Sequence, residues 1–160
     1  MDKEIKPIKR SHQLAPLSRE HHETLLLAWK IRQGIKLNRE PARIVAYTLW
    51  FAENFMEKHF AEEEVEFGKI LPAEDPFFKR MIDEHRQLRL QIKNIAEIPT
   101  PDQFEMLAIM ITDHVRFEER QLFNFIEEVA TEEQLNALLA SHGHAEKIPV
   151  WEDEFWLSKS

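Results

Sequence analysis

Apolar residues in this chain recur at steps of three and four, and prolines break the recurrence into blocks. One stripe runs Leu14, Leu17, His21, Leu25 and Ala28. A second runs Ile44, Thr48, Phe51, Phe55, His59, Glu63 and Phe67. A third runs Phe78, Met81, His85, Leu88, Ile92 and Ile95, and a fourth Phe104, Leu107, Ile111, His114, Glu118, Leu122 and Phe125. Such steps put side chains on one face of an α-helix. Pro16, Pro41, Pro76 and Pro101 stand where a first-turn proline would, since its missing N–H would be unpaired there in any case. Asp75 is a good N-cap, and Thr100 to Gln103 and Thr131 to Gln134 read as capping boxes. Gly34 and Gly143 read as helix stops. The pattern predicts helices over about 16–35, 41–68, 76–97 and 101–128, and a short one over about 131–142.

Short connections make neighbouring helices antiparallel. The expected fold is therefore all-α: an up-down-up-down antiparallel four-helix bundle with a short extra C-terminal helix and a tail. It would form a single domain over 1–160, with the bundle at about 12–128 and the extension at about 129–160. Three glycines, one tyrosine and no Asn-Gly or Asp-Gly turn argue against β-structure.

Composition narrows the function classes. Acidic residues outnumber basic ones 29 to 21, a net charge of -8 that repels phosphate backbones, so no nucleic-acid partner is expected. Cysteine is absent, which removes thiolate sites and nucleophiles and fits a reducing cytoplasm. Met1 to Arg10 lacks the apolar segment of a secretory leader, and no apolar run could span a bilayer, so no membrane partner is expected. Pro149 to Ser160 carries Trp151, Phe155 and Trp156, too many aromatics for a solvated tail. They are expected to cover the bundle, a protein partner or a second copy in a homodimer.

The candidate chemistry lies in the stripes themselves. Each of four predicted helices places a histidine on its inward face: His21, His59, His85 and His114. Two add a glutamate one turn later, Glu63 and Glu118. A single inward histidine is ordinarily a hydrogen-bonded core residue. Four together with two buried carboxylates are different, because glutamate is almost never buried unpaired and its charge would cost several kcal/mol in a dry core. Metal cations supply the compensation. There is an internal echo: the runs starting at His59 and His114 both read His-x-x-x-Glu-Glu. Each is followed some two turns on by a phenylalanine (Phe67 and Phe123) and then an aliphatic residue (Ile70 and Ile126). His12 suits hydrogen bonding in an arm, and His142 and His144 suit a helix C-terminus.

These segments resemble the hemerythrin family, specifically the bacterial His-His-Glu cation-binding domains. The matching runs are Leu17-Ser18-Arg19-Glu20-His21-His22, His59-x-x-x-Glu63, Glu84-His85 and Asp113-His114-x-x-x-Glu118-Glu119-x-x-Leu122-Phe123. The resemblance implies two iron ions bridged by Glu63 and Glu118, with a bridging oxo or hydroxo group, and histidine ligands His21 (or its neighbour His22), His59, His85 and His114. Manganese or zinc could enter the same donor set. It also implies binding or sensing of O2, NO or iron. The alternatives are a di-iron enzyme of iron-centre repair or of peroxide or NO detoxification, and a metal-free structural or interaction bundle. Oxygen carriers of the family have a second histidine one turn after the third-helix ligand, where this chain has Arg89. Ferritin-like bundles use Glu-x-x-His, which does not occur here.

Overall fold

The computed structural model describes residues 10–142 and 150–158, and all regular structure within them is helical. Helix α1 spans Ala15–Lys36. Helix α2 covers 41–68, as an α-helical segment Pro41–Phe51, a π-helical turn Ala52–Met56 and a second α-helical segment Glu57–Gly68. Helix α3 is Pro76–Glu97. Helix α4 covers 101–129, as Pro101–Phe117, a π-helical turn Glu118–Leu122 and Phe123–Val129. Helix α5 is Glu132–His142. Residues flanking each π turn keep right-handed helical dihedrals, so α2 and α4 are each one continuous rod.

The helix starts use the chemistry expected of them. All four prolines sit in first turns. The Asp75 carboxylate accepts the Phe77 and Phe78 N–H groups at 2.9 and 3.0 Å. Thr131 and Gln134 close their box in both directions. Thr100 caps Gln103, but the Gln103 side chain accepts from Gln91 instead of reaching back. Gly34 is not a stop: α1 continues to Lys36. A Cβ there would lie 2.7 Å from Ile44 Cδ1 and 3.0 Å from Phe155 Cε2, so the glycine is needed for close approach. The turn out of α1 is made by Asn38, whose φ of 53° is left-handed, a conformation asparagine tolerates. Met1 to Lys9, Gly143, His144 and Pro149 lie outside the described residues.

Two apolar clusters form the core, with a polar layer between them. One contains Leu27, Ile31, Ile44, Phe51, Met56, Leu88, Ile92, Phe104 and Ile111. The other contains Leu17, Phe67, Met81, Phe117, Leu122, Phe123 and Ile126, and α5 adds Leu135 and Leu138 to it. On every long helix the inward histidine falls between a residue of one cluster and a residue of the other. The helices pack as a ring, α1 on α2, α2 on α3, α3 on α4 and α4 on α1. The aromatic tail lies on the bundle. Phe155 is fully buried against Tyr47, Trp151 and Trp156 pack on the first cluster, and Arg43 grips Asp153 at 2.6 and 2.9 Å.

The π turns move two expected core positions. Each inserts one residue per turn, which rotates the following stripe by one position. In α2, Met56 is fully buried while Phe55 is only half-buried. In α4, Ile126 is buried and Phe125 half-buried. The echoing phenylalanines differ in offset for the same reason: Phe67 follows His59 by eight residues and Phe123 follows His114 by nine, and the π turn at Glu118 absorbs the extra one. In α1 the expected Leu25 is exposed, and Thr24 and Leu27 face inward in its place. The register has an energetic signature. Met56→Ala should cost about 2–5 kcal/mol of unfolding free energy, the range for emptying a buried methionine site. Phe55→Ala should cost less despite the larger side chain. Urea denaturation of the two variants makes the comparison, and the reverse order would contradict the π-turn register.

Candidate metal centre

The polar layer is built one helix at a time. His21 on α1, His59 on α2, His85 on α3 and His114 on α4 are buried, and Glu63 and Glu118 have no exposed surface at all. All four imidazoles turn Nε2 toward the two carboxylates. His59 Nε2 lies 3.2 Å from Glu63 Oε2 and His85 Nε2 lies 3.1 Å from Glu63 Oε1. His21 Nε2 lies 2.8 Å from Glu118 Oε1, and His114 Nε2 lies 3.3 Å from Glu118 Oε2. Each carboxylate thus shows one oxygen to one histidine pair and the other oxygen to the second pair. The donor atoms divide into two buried groups, His21 with His59 and His85 with His114, and both groups include Glu63 and Glu118. His22 faces outward and is exposed, as is His12.

Most of these inward atoms lack a hydrogen-bond partner. Nε2 of His59, His85 and His114, both oxygens of Glu63 and Oε2 of Glu118 are buried without one. Orphaned polar atoms are rare in folded interiors, since each forfeits its hydration. Here they converge from four helices on one small volume. Imidazole nitrogens and carboxylate oxygens are the donor set that iron, manganese and zinc take, so the residues fit a pair of such ions.

A second set of carboxylates fixes the imidazoles from behind. Glu20 accepts from His59 Nδ1 at 2.7 Å, Glu64 from His85 Nδ1 at 2.8 Å, Glu84 from His114 Nδ1 at 2.7 Å and Glu119 from His21 Nδ1 at 2.9 Å. These bonds set each ring's tautomer and leave Nε2 as the inward donor. They also form a closed ring: α1 supports α2, α2 supports α3, α3 supports α4, and α4 supports α1. Each supporting glutamate is the sequence neighbour of an inward residue on its own helix (Glu20-His21, Glu63-Glu64, Glu84-His85, Glu118-Glu119). The sequence reading missed this role, although the paired letters were its signal. Arg89 also belongs to this shell. It donates to Glu64 at 3.2 Å and to Glu57 at 2.9 Å, and lies over the Phe60 ring. His142 ends α5, as expected of it, and its Nδ1 also donates to Glu62. Phe60 stacks on His85 at 3.9 Å and Phe123 on His21 at 5.1 Å, closing the apolar walls.

The electrostatics follow from this crowding. Burial alone would raise Glu118, but His114, His21 and His85 hold it well below the ordinary carboxylate range. Burial also opposes a charge on the imidazoles, yet nearby carboxylates push His85 up to about 11 and His114 up to about 9. Glu20 is held down to about 2 against its own burial by the neighbouring His142 and His59 imidazoles. In the absence of a cation, protons on the histidines therefore supply the counter-charge.

The hemerythrin HHE cation-binding domain family matches residues 12–126, well over half of the chain. No curated protein and no solved structure gave a match alongside it. The buried histidine and glutamate groups are those that the family's description leads one to expect, and this chain belongs to the hemerythrin HHE cation-binding domain family.

A pH dependence follows for the metal-free protein. His85 and His114 have folded pKa values above the unfolded value of about 6.5. The stability they contribute is full below that value and is lost as pH rises through about 9 and then about 11. Glu118 acts in the opposite sense, so its contribution is present at neutral pH and fails only in strong acid. The melting temperature of metal-free protein should fall between pH 7 and pH 10, while that of metal-loaded protein should hold. Thermal melts followed by circular dichroism test this, and a metal-free form that gains stability over that interval would contradict it.

Proposed function

We propose that this chain is a non-haem di-iron protein whose centre binds or senses a small diatomic ligand, O2 or NO. The observation that carries the reading is the division of the inward donors into two groups sharing Glu63 and Glu118. His21 and His59 would hold one ion, His85 and His114 the other, and both carboxylates would bridge. Four imidazole nitrogens and four carboxylate oxygens make eight donors. Two octahedral ions take about twelve, so the protein leaves positions for other ligands. Iron bound there would supply redox chemistry toward O2 or NO.

The chain's own residues prepare that site. The outer glutamates orient the rings, Phe60 and Phe123 wall the site with apolar surface, and Arg89 restrains Glu64. Arg89 stands where an oxygen carrier has a further histidine, which favours a sensing or stress-responsive role over dedicated transport. A surface depression of about 220 Å³ touches His114 and Glu84, giving a small ligand a place to approach. The order of core clusters along the four long helices, reversing from each to the next, supports the up-down-up-down arrangement.

Protein from iron-replete cells should contain close to two irons per chain by elemental analysis. A well-folded product that takes up no metal on reconstitution would remove the reading. Glu63→Ala and Glu118→Ala should each abolish the two-metal centre. Glu119→Gln should keep it but weaken metal affinity by roughly 10–100-fold, the usual effect of losing an outer hydrogen bond to a ligand. Equal metal loss in all three variants would contradict the division between inner and outer carboxylates.

A further inference from the structure

A fifth histidine, outside the inner centre, is wired like the four within it. Each inner histidine binds an outer glutamate through Nδ1 and turns Nε2 toward a different carboxylate. On α5, His142 donates from Nδ1 to Glu62 of α2, and its Nε2 lies 3.3 Å from Glu20 Oε2 of α1. That separation matches the 3.2 and 3.3 Å of His59 to Glu63 and His114 to Glu118. As in those cases, Nε2 is buried without a hydrogen-bond partner, on a side chain only 4% exposed. Glu20 and Glu62 are more open, at 20% and 26%, so the cluster lies at the edge of the bundle where α1, α2 and α5 meet.

We propose that His142, Glu20 and Glu62 form a third, outer site for a divalent transition-metal cation. His142 Nε2 and Glu20 Oε2 are the protein ligands, Glu62 orients the imidazole, and water completes the shell. Two protein ligands and partial exposure make this site weaker than the inner pair, because more of the cation's hydration is kept and fewer donors are charged. The site is joined to the inner centre by a single carboxylate. Glu20 Oε1 receives the His59 Nδ1 proton, while Oε2 faces His142. The competing use of these contacts is an ion-pair latch, with a protonated His142 pinning α5 to the bundle.

Counting metals separates the two uses. Metal-free full-length protein is dialysed to equilibrium against cobalt(II) at pH 7.5, and bound cobalt is measured by elemental analysis as the free concentration rises. The wild type should take up three per chain, the third with at least tenfold weaker affinity. His142→Gln, with unchanged helical circular dichroism, should stop at two. Glu62→Gln keeps the ligands but loses the anionic partner of Nδ1, and should weaken only the third. A wild-type count of two overturns the outer site while leaving the inner centre intact. Three cobalts in His142→Gln overturn it as well, by placing the third elsewhere. One cobalt in the wild type and none in His142→Gln would uphold the outer site and reject the proposed inner centre.

Discussion

Two carboxylates without exposed surface, Glu63 and Glu118, sit between two apolar clusters, and the rest of the layer answers their charge. An isolated carboxylate in such a place would take up a proton or draw in water. This bundle instead surrounds the pair with four imidazoles, which can offer either protons or metal-binding lone pairs. The same arrangement accounts for the raised histidines of the metal-free state and for the donor set offered to cations. Metal and protons compete for the same nitrogens, so occupancy and stability are linked through pH.

The helices were legible because their signals are local. First-turn prolines, the Asp75 cap and the three-and-four spacing depend on nearby residues alone, and the observed bounds differ from the expected ones by a residue or so. The π turns were not legible. A one-residue insertion leaves the letters of the stripe almost unchanged, and it shows in the burial of Met56 over Phe55 and Ile126 over Phe125. Gly34 shows the other kind of failure: its role comes from Ile44 and Phe155, which tertiary packing brings beside it.

For the site, the inward histidines and glutamates were legible because polar residues on an apolar stripe are conspicuous. The outer glutamates were not, because Glu20, Glu64, Glu84 and Glu119 lie on the polar side of their stripes, where acidic residues are ordinary. Their function exists only between helices. The same is true of His142, whose partners are contributed by α1 and α2.

The ring of supporting carboxylates bears on how such a bundle can be divided. The α1–α2 half contains His21, His59 and Glu63 and orients His59 internally through Glu20. It sends Glu64 outward to His85 and needs Glu119 from the other half for His21. The α3–α4 half has the same ledger: one internal support, one donated and one received. Two copies of either half, related by a two-fold axis, would close the ring without a missing member. Each two-helix half is thus balanced in the supports it gives and receives, the condition for a symmetric pairing of two such halves.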